Sequence, residues 1–305
     1  MDKGLVNIDL IKKIHYFLKN NACLKFLDPN IFDSIDRNKE ISNISFDNYY
    51  LEYINNLSKL NFENVVKISR EVYQTYGKEK DFDIILEKMM NNNSINKGSL
   101  NPVDNNFIMK ASENRVLLSG TYYDVILLCH EIGHKLKFDN FRGMSNIMDN
   151  FFFETPPIIF EFAANNYLRD NYGIDIGADE LRKEHILSIQ RENSIENNVF
   201  SIIMNLLKER KLNVVNLYKE FNNDKEIVKC FDNNNFSIES CLEDGLGNYS
   251  YDIGYILGNY VNNSNNRIEL LNTILKYMKN GIVMPFTIDE NIIKEVLISD
   301  KHTRS

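Results

Sequence analysis

His130-Glu131-Ile132-Gly133-His134 sets two imidazoles four residues apart with an acid between them. On a helix, positions i and i+4 share one face, so both rings reach a single ion, and tetrahedral Zn2+ is the expected occupant. Glu131 is expected to lean over the coordination position left open and to act as base toward the water held there. Catalytic zinc usually takes three protein ligands and keeps one place for water, so a third must come from elsewhere. One HExxH subclass supplies it from a Gly and a His just downstream, but Lys137 and Asn140 stand at those positions here. The stretch FFFETPPIIFEFAANNYL offers two acids instead, Glu154 and Glu161, nearly two helical turns apart and facing the same way. Thr155 and Pro156 read as a helix start, which puts Glu154 at the mouth of that helix and Glu161 in its interior. Carboxylates on a stripe with Phe153, Ile158 and Phe162 are costly to bury unless they meet a cation, a need that a metal and its histidines answer. On spacing alone, either acid serves.

The segment SGTYYDVILLCHEIGH resembles the strand, turn and active helix of the thimet oligopeptidase and oligopeptidase F family, and ETPPIIFE is similar to that family's Glu-bearing helix. The resemblance implies a zincin-like catalytic core, with Glu154 as third zinc ligand and Glu161 as a neighbouring second acid. It also implies a Tyr-rich C-terminal helix lining the site, matched by Tyr249-Ser250-Tyr251-Asp252-Ile253-Gly254-Tyr255. A neutral phenol near the metal suits amide hydrolysis, which passes through an anionic tetrahedral species. Tyr255 is the first expectation for that role, followed by Tyr251 and Tyr249. The match spans roughly residues 100 to 170 and 245 to 262. It departs from the family at Lys137, at Pro157 in place of a Ser, and in lacking a His upstream of the Tyr helix. The chain is also about half the family's usual length, which implies a more open cleft.

Two other readings compete. Glu161, Ala164, Asn165 and Tyr167 give an E-x-x-A-N-x-aromatic pattern that resembles proteases cutting phage-type repressors, with Glu161 as the ligand. The other is a helical, non-catalytic regulatory protein that kept a structural metal.

These groups need rigid elements to hold them. Apolar residues recur at three- and four-residue spacing, and 13 Gly and 5 Pro are few in 305 residues, so the fold is expected to be mainly α with one small sheet. Helices are predicted near 8–20, 47–59, 62–76, 81–92, 155–170, 179–191, 194–209, 249–262, 265–280 and 288–298. Thr121 followed by Asp124 has the form of a capping box opening the HExxH helix. A hairpin is predicted from NNFIMK and NRVLLS around 111–114. Its second strand, 114–119, would be an edge able to pair with an extended peptide substrate. The polar break ending at Pro102 divides an N-terminal helical region, 1–100, from a catalytic region, 101–305, in one continuous globule.

A formal charge of −8, from 43 acidic and 35 basic side chains, argues against a phosphate-binding surface for nucleic acid. The longest apolar runs fall short of the roughly 20 residues that span a bilayer. The N-terminus lacks the pattern of a signal peptide, and four cysteines without a CxxC pair suit reduced thiols, so a cytoplasmic protein without membrane partners is expected. Cys129 is expected to be a packing residue, and His15, His185 and His302 to sit on the surface. Arg142 and Arg169 are further basic groups with no local sign of a role.

Overall fold

The computed structural model describes residues 6, 8–20, 59–92, 95–96, 116–117, 120–138, 153–192, 194–231 and 238–280. Among them the chain is mainly helical, with eleven helices. They are α1 Ile8–Asn20, α2 Phe62–Gln74, α3 Glu79–Asn91, α4 Tyr123–Phe138, α5 Thr155–Tyr172 and α6 Ala178–Glu192. There follow α7 Ser194–Lys208, α8 Val214–Asn223, α9 Lys225–Phe231, α10 Ile238–Asn263 and α11 Arg267–Asn280.

The centre is a three-layer stack in which α5 lies between α4 and α10. Twelve residues of α5 are buried, from Thr155 to Asn165 and at Leu168, on every side of the rod. A helix apolar all round belongs in an interior, and its two acids are carried there with it. Gly173, at φ 67°, closes α5 in the left-handed conformation, and its N–H and that of Ile174 return to Arg169 and Leu168 carbonyls.

Glycines let the three rods approach closely. A Cβ on Gly133 of α4 would lie 2.7 Å from the Cα of Pro157, and one on Gly254 of α10 would lie 2.9 Å from the Glu154 carbonyl oxygen. Pro157 is thus the surface on which the glycine of the HEIGH segment rests. Behind α4, α2 is tied on by Tyr73, whose hydroxyl donates to the Cys129 carbonyl at 2.8 Å and whose ring stacks on Phe160 at 3.9 Å. Residues on both sides of position 100, such as Val72, Phe82, Leu128 and Phe160, enter one buried apolar cluster.

Several expectations change here. Val116–Leu117 (β2) is a strand, but its partner is Ile95–Asn96 (β1), running parallel in the register Ile95 to Val116. The polar break therefore contributes a strand, and Ile95, an apolar residue within that largely polar run, is buried. Helix α10 begins at Ile238, a full eleven residues before 249, through a stretch whose Gly245 and Gly247 disguise it. Helices α8 and α9 are additional. Asn213 caps α8 by accepting from the Asn216 N–H at 2.9 Å. Lys59, read as a helix end, instead makes an antiparallel bridge with Thr121. The remainder of that expected helix, 47–58, the helix expected at 288–298, the hairpin arm 105–110, Arg142, His302 and the side chain of Tyr249 lie outside the described residues.

Candidate metal centre

The site starts at the opening of α4. The Asp124 carboxylate accepts from the N–H groups of Gly120 at 2.7 Å and Thr121 at 3.3 Å, returning to the helix mouth as a capping box requires. Gly120 sits at φ 79°, a left-handed turn that glycine adopts without strain, and its carbonyl receives the Leu60 N–H at 2.8 Å. With the first turn pinned, His130, Glu131 and His134 fall on the side of α4 that faces α5, and all three are buried.

Across from them, Glu154 occupies the N-cap of α5 and is 3% exposed. Its Oε2 lies 3.6 Å from His130 Nε2 and 3.8 Å from His134 Nε2, while the two imidazole nitrogens are 3.1 Å apart. Donor atoms held on a tetrahedral zinc by bonds of about 2.0–2.1 Å lie about 3.3 Å from one another, so this triangle has the size a small metal ion needs. Among the described residues these three form a group able to hold one.

The hydrogen-bond ledger supports the same reading. Oε2 of Glu154 and Oε1 of Glu131 are buried oxygens with no hydrogen-bond partner among the described residues. Acceptors without donors in an interior are costly, and a cation with its water answers both. Charge agrees: the carboxylates of Glu131, Glu154 and Glu161 meet one buried guanidinium, Arg182, so full ionisation leaves an excess of two negative charges for a divalent ion.

Glu161 faces the opposite side of the His130 ring, its Oε2 3.2 Å from Nδ1. The Arg182 guanidinium also donates to that oxygen. Burial would raise the Glu161 pKa, but the charge of Arg182 and the hydrogen bond from His130 prevail and hold it down to about 2. Glu131 and Glu154 go the other way, both pushed up by burial against the partial relief of His130. For His130, burial pulls the pKa down, yet the Glu161 hydrogen bond and the Glu154 charge outweigh it and raise it overall.

Of the phenols, the structure brings Tyr251 to the centre: burial, and after it the charge of the nearby Glu154 carboxylate, raise its pKa well above the ordinary value. Tyr255, the first expectation, lies a turn further along α10, edge-on to Phe162 with ring centroids 5.8 Å apart and beneath the Lys183 ammonium at 5.6 Å. Cys129 is fully buried, with its thiol toward the Ser69 carbonyl and its pKa pushed up by burial to about 12, which makes it an inert packing group.

Two residues of α6 join the site that local sequence reasoning missed. Arg182 stands over the Tyr251 ring at 5.5 Å, and His185, expected on the surface, instead lies against the same ring at 5.3 Å. Burial and the Arg182 charge lower the His185 pKa to about 3, so it is neutral. Neither had a signature in ADELRKEHIL, where Arg and His among Lys and Glu look like a solvated face. Arg169 ends in an exposed pair with Asp170 and takes no part, while His15 is half-buried on α1, away from these elements. Comparison with protein-family models, curated proteins and solved structures returns no match for this chain.

Proposed function

We propose that the chain is a zinc-dependent metallopeptidase with a zincin-like core, hydrolysing peptide bonds in oligopeptides or unfolded peptides. The observation that carries the reading is the convergence of His130 Nε2, His134 Nε2 and the unpartnered Glu154 Oε2, with a second unpartnered oxygen on Glu131 beside them. Three protein ligands leave one place open, which suits a catalytic zinc and not a closed structural one. Glu161, already engaged with Nδ1 of His130 and with Arg182, fits a supporting role better than the ligand role that the repressor-cleaving pattern would give it.

His130, His134 and Glu154 would hold the ion. The chemistry supplied by a bound zinc is Lewis-acid activation of a carbonyl and of water. Glu131, buried with its pKa raised, takes a proton from water at its free Oε1 and returns one to the leaving amine. Tyr251, kept as a neutral phenol by burial, donates to the oxygen that gains charge at the carbonyl. Strand β2, with one partner strand among the described residues, is the element assigned to hold an extended peptide by main-chain hydrogen bonds. A cytoplasmic location without membrane partners belongs to the same proposal, and the formal charge of −8 supports the exclusion of nucleic acid. Among the described residues no helix is long and apolar enough to cross a membrane.

The test is a mixed peptide library incubated with zinc-loaded wild type and with Glu131→Gln, products being read by mass spectrometry. Wild-type products absent from the variant and from a chelator-treated sample support the assignment. The same products from all three samples refute it.

A further inference from the structure

Arg182 is the one buried Arg or Lys side chain among the described residues, and it lies on the Nδ1 side of His130, whose Nε2 faces His134. Helix α6 is anchored to carry it there. Asn259 of α10 donates to Asp179 at 3.2 Å, Lys183 pairs with the same Asp179 at 2.7 Å while lying over Tyr255, and His185 packs on Tyr251. Those contacts place the Arg182 guanidinium over the Tyr251 ring, with Nη2 reaching Glu161 Oε2 and lying 3.4 Å from His130 Nδ1.

The guanidinium and the imidazole thus meet at one carboxylate oxygen, and the donor and acceptor capacities of the three groups allow a single arrangement compatible with metal binding. A carboxylate accepts and a guanidinium only donates. For Glu161 to hydrogen-bond His130, Nδ1 must carry the ring proton, which leaves the lone pair on Nε2, the nitrogen facing His134 and Glu154. If Arg182 lost Glu161 and donated to Nδ1 directly, the proton would move to Nε2 and block the ligand position. The bond between Arg182 and Glu161 selects between these two states.

We propose that Arg182 is a positioning residue for the metal centre: by holding Glu161 on Nδ1 of His130, it sets the imidazole tautomer and ring orientation that present Nε2 to the ion. This rests on the metal site proposed above and assigns the control of its affinity to a residue on a third helix. Outer partners of a ligating histidine typically govern metal affinity by about 10–100-fold, which is the size of effect expected.

A double-mutant cycle on zinc affinity, read by competition with a chromophoric chelator, tests it. The four full-length proteins are wild type, Arg182→Met, Glu161→Gln and Glu161→Gln/Arg182→Met. The expected result is a dissociation constant raised about 10–100-fold by Arg182→Met in the wild-type background, and by less than about threefold in the Glu161→Gln background. Removing the cation alone leaves the Glu161 charge buried with only the His130 hydrogen bond to offset it, so that variant can fail to fold. The comparison of Glu161→Gln with the neutral double variant then stands by itself, and equal affinity of the two is the expected outcome. Affinity unchanged by Arg182→Met, or an equal loss in both backgrounds, overturns the role given to Arg182 while leaving the metal site intact. Wild type that takes up no zinc overturns the metal reading, and this inference with it.

Discussion

Glu131 is the group whose removal separates chemistry from binding. It lies beside the ligand triangle without belonging to it, so Glu131→Gln is expected to retain zinc and to lose turnover about 10²–10⁴-fold, measured as initial rates on a quenched peptide alongside metal content. The phenols give a second contrast. Tyr251 meets Glu154 while Tyr255 packs on Phe162, so Tyr251→Phe is expected to lower kcat about 10²–10³-fold and Tyr255→Phe far less. The reverse order of effects would restore Tyr255 to the role that the sequence resemblance first gave it. His185 provides a test through stability. Unfolded, its imidazole takes a proton near pH 6.5, whereas in the folded chain it stays neutral down to about 3. Between those values the unfolded state binds more protons, so this residue's effect is a loss of stability as pH falls through the window and none above it. Melting temperatures recorded from pH 7 to 3 should fall less steeply for His185→Phe, which keeps a ring against Tyr251; parallel slopes would refute the burial of a neutral imidazole there.

The helices that hold these groups depend on close backbone approach. At Gly133, an added methyl meets the Pro157 backbone at 2.7 and 2.8 Å, atoms that cannot swing aside as a side chain would. Overpacking of about 1–3 kcal/mol opposes the gain of up to about 1 kcal/mol from replacing a helical glycine by alanine. Gly133→Ala is therefore expected to destabilise the chain by about 1–2 kcal/mol in urea titration and to weaken zinc binding by shifting Glu154. Gly247 of α10 is the control: among the described residues nothing lies within 4 Å of where its Cβ would stand, so Gly247→Ala should stabilise by about 0.5–1 kcal/mol. Similar destabilisation by both variants would mean that α4 and α5 do not cross where described. The HExxH spacing, the capping Asp124 and the Pro-initiated start of α5 made these two helices legible from sequence, because each is a local device with its own pattern. Helices α8 and α9 were not legible, since they are short, ten and seven residues, and their caps are Asn and Asp residues that also mark loops. The parallel pairing of β1 with β2 was equally hidden, as parallel partners are joined by distant segments and leave no turn signal.

In the assembled molecule the centre is made by four helices from different parts of the chain: α4 and α5 bring the ligands, α6 the buried Arg182, and α10 the phenol. The two histidines of the candidate metal group were readable because they share one helix, whereas spacing alone left Glu154 and Glu161 both open as its third member. Arg182 and His185 were not, because only the packing of α6 on α10 turns an apparently solvated face inward. A site bridging that many elements couples metal binding to folding. Zinc at 100 times its dissociation constant should add about 2.7 kcal/mol to stability, seen as a melting transition that rises with zinc and returns on adding EDTA. The most direct test of the centre itself is the zinc content per chain of purified, zinc-equilibrated proteins. One zinc is expected in wild type and in Glu131→Gln, and none tightly held in His134→Ala or Glu154→Gln. Full zinc retained by Glu154→Gln but lost from Glu161→Gln would contradict this expectation.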